Sequence, residues 1–320
     1  MHQDSLLPRL SARGPRIVDT EGQSLLLRGV NRSGLEYSPC CIPEDEMAAI
    51  TGDWCCNIVR VPFNQDWVLN GFGEAGAEDY LGLLDAAVEC AARGGAYALL
   101  DLQWLDAERP FGANRQFVPP LPNPDSVRVW TTLARRYGAN PAVMFDLLNE
   151  PHDRMLDDPY PLYRPDGGQY HPEHRRVSMS EWQPWAELLI DTIREDAPDT
   201  LLFVSGTNWA YDLRGFPLDR PNLVYSTHVY PNKGDDWFGA FGFLAGYVPV
   251  FAGEFGGGDG DLAWGRRLLD YFDELEIGWT AWSFSDRPHL VAREDLAPTA
   301  FGALVKERLL RRLPAPVHSV

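Results

Sequence analysis

The sequence predicts a (β/α)8 barrel with an N-terminal β-hairpin, folded as one domain over residues 1–320. Three observations predict it. Short apolar runs alternate with longer amphipathic segments eight times along the chain. The runs are apolar almost throughout, as strands of a parallel sheet buried on both faces must be. Polar side chains then gather just after the runs, at the strand ends where such a barrel carries its functional groups. The length also allows two small domains, but no internal repeat, low-complexity tract or linker marks a boundary.

The hairpin comes first. Residues 16–19 and 24–28 flank Thr20-Glu21-Gly22, and the second half runs on into strand one, placing the hairpin under the barrel floor. The eight strands are expected at residues 25–31, 57–61, 96–102, 142–148, 201–205, 223–228, 248–252 and 278–283. Between them, Tyr80, Leu81, Leu84, Val88, Ala91 and Ala92 fall on one helical face. Asn123 followed by Pro124 reads as an N-cap with proline at the first helical position. Ser180 and Gln183 have the spacing of a capping box ahead of Leu188, Leu189, Thr192 and Ile193. Leu262, Leu268, Leu269 and Phe272 form another stripe, and Ala303, Leu304, Leu309 and Leu310 the last.

Charge narrows the ligand. With 46 acidic against 28 basic residues the net charge is −18, a field that repels nucleic acid and anionic membrane surfaces and favours a neutral substrate. No stretch is apolar for long enough to span a bilayer. Residues 1–14 lack the apolar core of a signal peptide, which leaves location open: secreted if a leader has been removed, otherwise cytoplasmic. Five cysteines (Cys40, Cys41, Cys55, Cys56, Cys90) show no metal-ligand spacing; buried free thiols are expected, with one disulfide between the 40/41 and 55/56 pairs as the alternative. A monomer is expected, since nothing in the pattern indicates an interface.

The strand ends carry the chemistry. Strand two ends in Arg60, strand three in Asp101-Leu102-Gln103-Trp104, and strand four in Asn149-Glu150-Pro151. Strand five runs into Asn208-Trp209, strand six gives His228-Val229-Tyr230, strand seven Gly253-Glu254, and strand eight Trp282. Strands four and seven face each other across such a barrel, so Glu150 and Glu254 are placed on opposite sides of anything held over its centre. Two carboxyl groups about 5 Å apart are what glycosidic-bond cleavage with retention requires, one attacking the anomeric carbon and one protonating the leaving oxygen. Arg60 and Tyr230 are expected to hydrogen-bond Glu254 and keep it ionised, and His228 to tune Glu150. Asn149 is expected to hold the sugar 2-OH, with Trp282 as the floor beneath the sugar. Each residue taken alone has a structural reading: a turn, an ion pair or a polar rim. The ordered set, one group per strand end, favours the catalytic one.

These motifs resemble glycoside hydrolase family 5, the cellulase family among the barrels with catalytic glutamates on strands four and seven. The matching stretches are Leu27-Arg28-Gly29-Val30-Asn31, Val59-Arg60-Val61-Pro62, Phe145-Asp146-Leu147-Leu148-Asn149-Glu150-Pro151-His152, His228-Val229-Tyr230, Gly253-Glu254-Phe255 and Trp282. The resemblance implies a retaining mechanism without metal or cofactor, with Glu150 as acid/base, Glu254 as nucleophile, and Arg60, Asn149, His228, Tyr230 and Trp282 in support. One position departs from it. Where the family usually has His after strand three, this chain has Gln103, which is neutral at every pH and can both donate and accept. That substitution bears on substrate preference.

Two strand–helix loops, residues 106–122 and 153–179, are long enough to be functional. The second carries Tyr160, Tyr163, Tyr170, His171 and His174, and these rings either wall a sugar cleft with Trp104, Trp209 and Trp237 or pack the loops onto the barrel. His152, Asp153, His171 and His174 lack metal-ligand spacing. The glycine- and aspartate-rich stretch 256–261 lacks the regular oxygen ligands of a calcium loop and is expected to be flexible. Glu36-Tyr37 either touches substrate or packs. The expected substrate is a neutral β-linked polysaccharide or oligosaccharide, cleaved by an endo-β-1,4-glucanase. An exo-β-glycosidase, a mannanase, a transglycosylase, or a carbohydrate-binding barrel with impaired turnover remain as alternatives.

Overall fold

The structure, a computed structural model, describes residues 7–32, 34–35, 44–113, 115–284 and 287–311. Glu36-Tyr37, Cys40 and Cys41 lie outside them.

Two short antiparallel strands, β1 (Ser11–Arg13) and β2 (Arg16–Val18), precede eight parallel strands. These are β3 (Arg28–Asn31), β4 (Ile58–Asn64), β5 (Tyr97–Trp104), β6 (Val143–Asp146), β7 (Leu202–Ser205), β8 (Leu223–Val229), β9 (Val250–Phe255) and β10 (Gly278–Ala281). Each pairs with its neighbours in chain order, and β10 closes on β3. Around the barrel run α1 (Glu44–Ala48), α2 (Gln65–Asn70), α3 (Ala77–Arg93), α4 (Glu108–Phe111), α5 (Pro124–Tyr137), α6 (Met179–Asp196), α7 (Trp237–Ala240), α8 (Leu262–Glu274) and α9 (Ala300–Leu310). The (β/α)8 fold that the apolar runs predict is the fold observed.

Side-chain alternation divides the core in two. Outward residues such as Val59, Leu100, Phe145, Val204 and Trp279 pack under the helices. Inward residues Leu27, Ile58, Leu99, Met144, Phe203, Val224 and Phe251 fill the lower barrel, where Leu10 and Ile17 from the hairpin segment close it from below. Two residues further along the same strands the inward positions turn polar: Arg60, Asp101, Asp146, Ser205 and Ser226 are buried, as are Asn31, four residues beyond Leu27, and Thr280 on β10. The runs are therefore not apolar throughout, because the upper interior serves the site rather than the core.

Four local expectations are corrected. The hairpin turns at Gly14-Pro15, where Gly14 takes the left-handed φ of +55°. The Thr20-Glu21-Gly22 turn exists, closed by the Gly22 N–H on the Asp19 carbonyl, but it is followed by a single bridge from Val18 to Ser24 rather than by a strand. The connection between β7 and β8, residues 206–222, carries no helix; its bridges and left-handed residues Asn208, Trp209 and Ala210 make it a folded loop. The cap of α6 lies two residues earlier than the capping-box spacing suggested, with the Ser178 N–H donating to the Glu181 carboxylate at 2.9 Å. In the 256–261 stretch the Asp261 carboxylate accepts the Gly258 N–H at 2.8 Å ahead of α8. The Asn123 cap of α5 stands as read, its side chain accepting the Asp125 N–H. Cys55, Cys56 and Cys90 are free thiols, but of these only Cys56 is buried as expected; Cys55 is exposed and Cys90 half-buried.

Candidate active site

The carboxyl ends of the strands surround an open cleft of about 610 Å³. Its walls include Gln103, Asn149, Glu150, Trp209, Tyr230, Lys233, Glu254 and Trp282. Glu150 follows β6 and Glu254 lies within β9, and ligand-type atoms of Glu150, His228 and Glu254 all fall within 4.8 Å of one another.

The centre of the arrangement is Arg60, fully buried on β4. Its Nη1 donates to Glu254 Oε1 and to Asn31 Oδ1, both at 3.0 Å. Its Nε reaches Asp146 Oδ2 at 2.9 Å, while Nη2 reaches Asn149 Oδ1 at 3.0 Å and Asp101 Oδ1 at 2.9 Å. A planar guanidinium with five donors is the side chain that can bind so many acceptors at once. Burial opposes its charge, but Asp101, Asp146 and Glu254 outweigh that and hold its proton tightly. Burial also pushes Asp101 well above the ordinary carboxylate range, and Asp146 up to about 6, against the pull of Arg60.

The two glutamates sit in different surroundings. Glu254 accepts from Arg60 and, on Oε2, from the Tyr230 hydroxyl at 2.7 Å. Burial raises its carboxyl above the usual value and the charge of Glu150 adds to that, while Arg60 and Tyr230 draw it back. Glu150 receives no bond from Arg60; its Oε1 shares a 2.9 Å hydrogen bond with His228 Nδ1. Burial pushes Glu150 up to about 7, with Lys233 and Arg60 pulling down. Burial lowers His228 to about 3, so this imidazole is neutral at working pH and tunes Glu150 by hydrogen bonding, not by charge. Glu254 therefore holds fixed donors that favour the anion, while Glu150 is balanced to keep or release a proton near neutrality.

The local backbone explains the aim of Glu254. Between β8 and β9 the register slips, with Thr227 opposite Ala252 and His228 opposite Glu254, so Gly253 is the extra residue of a bulge. A Cβ at Gly253 would stand 2.5 Å from Ser226 Oγ and 2.8 Å from His228 Nε2, so glycine is required for His228 to occupy its place. Asn31 Nδ2 and Thr280 Oγ1 both donate to the Gly253 carbonyl, fixing the bulge from the neighbouring strands. Glu150 is held through its own backbone: His152 Nδ1 lies 2.6 Å from the Glu150 carbonyl oxygen, and the His152 ring stacks on Trp209 at 3.6 Å.

The structure thus brings together Glu150, Glu254, Arg60, Asn149, His228, Tyr230, Gln103, Trp209 and Trp282. Trp104 is not part of the cleft wall: it ends β5 as a buried ring, 8% exposed. Trp237 is likewise buried. The loop rings take their packing role: Tyr160 lies under the Arg109 guanidinium at 3.8 Å, and Tyr170 stacks on His174 at 4.6 Å. None of them lines the cleft. His152 is occupied with Trp209 and the Glu150 carbonyl rather than with the loop histidines. Sequence reasoning missed Asp101 and Asp146 as partners of Arg60, Asn31 as a brace, and Lys233. Asp101 and Asp146 each stand two residues beyond an apolar inward residue of the same strand, Leu99 and Met144, a signal that the alternation itself contains.

Comparison with known proteins agrees with this geometry. The family model described as cellulase, glycosyl hydrolase family 5, matches residues 18–288. The chain belongs to glycosyl hydrolase family 5. Among similar proteins are endoglucanase E-5 of Thermobifida fusca, 23% identical over 85% of this chain and 55% of that protein, and endoglucanase MaCel5A of a Microbulbifer species, 25% identical over 87% and 51%. The chain thus spans about half the length of these relatives. The β-glucanase SdGluc5_26A of Saccharophagus degradans, solved in complex with cellotetraose, has the same fold: TM-score 0.76 at 24% identity, covering 95% of this chain and 93% of that one. In this chain Glu150 follows the fourth barrel strand and Glu254 lies within the seventh.

Proposed function

We propose that this family 5 chain is a retaining endo-β-1,4-glucanase in which Glu254 is the nucleophile and Glu150 the acid/base. The observation that carries the reading is the carboxyl pair itself. Oxygens of the two groups lie within 4.8 Å of each other across an open cleft. That spacing suits a covalent intermediate; an inverting pair stands roughly 6.5–9.5 Å apart to leave room for water. The relatives named as endoglucanases, and the cellotetraose held by the similar β-glucanase, favour a β-linked glucan.

In the first step a Glu254 oxygen forms a bond to the anomeric carbon while Glu150 gives its proton to the departing glycosidic oxygen. The carboxylate that results on Glu150 then takes a proton from water, which attacks the same carbon and releases Glu254. Arg60 and Tyr230 hold Glu254 in line throughout. Asn149, whose Oδ1 is taken by Arg60, is left with its N–H donors for the sugar 2-OH. Stacking on Trp282 and Trp209 needs no charge and suits a neutral sugar chain.

The test is reducing-end release from β-1,4-glucan, mixed-linkage glucan, xyloglucan, glucomannan, mannan and xylan, with the product anomer followed by NMR. Release from the β-1,4-glucans, with the β-anomer appearing first, is expected. An α-anomer first would overturn the retaining mechanism. Binding without release would leave a carbohydrate-binding barrel, and preference for mannan would leave a mannanase.

A further inference from the structure

Lys233 stands in the turn Pro231–Lys233 directly after β8 and lines the cleft. Its Nζ donates to the Asn208 carbonyl at 3.0 Å, so it ties the turn after β8 to the loop after β7. That loop holds Asn208, Trp209 and Ala210 in the left-handed region, with φ of +55°, +62° and +56°. Three consecutive non-glycine residues in that region persist only when neighbours hold them. Trp209 in turn stacks on His152 and donates its N–H to the Pro151 carbonyl at 3.0 Å, and His152 holds the Glu150 backbone. A continuous path therefore runs from Lys233 to the acid/base.

Lys233 also has capacity to spare. An ammonium carries three donors and the Asn208 carbonyl uses one. The half-buried amine interacts electrostatically with Glu150, and burial lowers its own pKa. Lys233 acts on Glu150, while the charges acting on Glu254 are those of its own surroundings. The leaving oxygen must come closer to the proton donor than to the nucleophile, so the Glu150 end of the pair, where Lys233 acts, is the leaving end.

We propose that Lys233 binds the leaving-side sugar of the substrate, its free N–H groups donating to sugar hydroxyls, while its bond to Asn208 positions Trp209 and Glu150 for that sugar's departure. This rests on the hydrolase reading above. The titratable groups around Glu150 are Arg60 from β4, Asp101 from β5, His228 from β8, Tyr230 and Lys233 just after it, Glu254 from β9, and His152 from its own loop. Removing Lys233 deletes one of the two cations that lower Glu150, so the alkaline limb of kcat/KM moves to higher pH.

Lys233→Met and Lys233→Arg would be compared with the parent on cellotetraose and on dinitrophenyl β-cellobioside. The aryl glycoside has no leaving-side sugar and a leaving group that departs without a proton. Loss of one charged hydrogen bond predicts that Lys233→Met falls about 10-fold or more further on cellotetraose than on the aryl glycoside. Lys233→Arg should restore most of the difference and the pH limb. Equal losses on both substrates, or no loss on cellotetraose, would overturn the proposal. Cellotetraose binding to Glu254→Gln, with and without Lys233→Met, separates this from the function itself. If the parent hydrolyses neither substrate but Lys233→Met still weakens binding, the hydrolase reading fails and the role of Lys233 stands. If binding is unchanged, Lys233 has no such role.

Discussion

The lower and upper halves of the barrel interior are built by the same strands, two residues apart, and they obey opposite rules. Below, Ile58, Leu99, Met144, Phe203 and Val224 interlock as a dry apolar plug. Above, Arg60, Asp101, Asp146, Ser205 and Ser226 replace them position for position, with no exposure to solvent. The lower layer is stabilised by removing carbon from water, about 1.5–3 kcal/mol for each large side chain. The upper layer gives up that stabilisation and buries charges that are tolerable only because Arg60 binds three carboxylates. The difference shows where the fold ends and the chemistry begins. A step of two residues along a strand converts core into site.

The largest effect expected is on turnover. Glu254→Gln keeps the hydrogen bonds to Arg60 and Tyr230 in large part but removes the nucleophile, so kcat on cellotetraose should fall on the order of 10⁴-fold or more while the melting temperature is preserved or raised. A loss of folding, seen by circular dichroism, would mean that Glu254 is structural.

The two layers can be set directly against each other. Arg60→Met leaves Asp101, Asp146 and Glu254 buried without their counter-ion and should cost about 3–5 kcal/mol together with nearly all activity. Leu99→Ala in the floor should cost a similar amount, about 2–5 kcal/mol, yet leave kcat nearly unchanged well below its melting point. Denaturant unfolding and kinetics on both variants would check this. Equal losses of activity would erase the division between the layers.

A smaller effect follows from pH. Glu150 must be protonated in the first step and burial pushes it up to about 7, so kcat/KM on cellotetraose should fall tenfold per unit above that pH. Glu254 must be ionised, and because burial raises it, the acidic limb should lie above the ordinary carboxylate range. On dinitrophenyl β-cellobioside, which needs no proton, the alkaline limb should vanish. Its persistence would assign the limb to another group.

The smallest is at Gln103, nine-tenths buried on the cleft wall with its Oε1 lacking a hydrogen-bond partner. Gln103→His should leave an active enzyme with substrate ratios changed a few-fold, read from the polysaccharide panel. Complete loss would make Gln103 part of the reaction rather than of its preference.

The outer half of this logic was legible in the sequence and the inner half less so. Apolar runs at regular intervals reveal strands, and Glu150 and Glu254 declare themselves because a carboxylate beyond an apolar strand has few structural uses. Asp101 and Asp146 were hidden because each sits inside its run, one and two residues from the expected end, where only the inward parity distinguishes it from its outward neighbours. The β9 boundary was missed by three residues because the Gly253 bulge carries the strand past its expected end. For Trp104 and the loop tyrosines the sequence leaves sugar platform and packing both open, because a ring that packs and a ring that binds have the same spacing in a sequence. Lys233 was missed because a single lysine in a turn becomes meaningful only when its partner, the Asn208 carbonyl on another loop, is seen.

The central claim is that the pair works by covalent double displacement through Glu254. The most direct test is incubation with a 2-deoxy-2-fluoro β-cellobioside carrying a good leaving group, followed by mass spectrometry of the intact and protease-digested protein. One fluorocellobiosyl group per chain, on the peptide containing Glu254 and absent from Glu254→Gln, is the predicted result. Rapid turnover with no adduct, or an adduct on the Glu150 peptide, would contradict it.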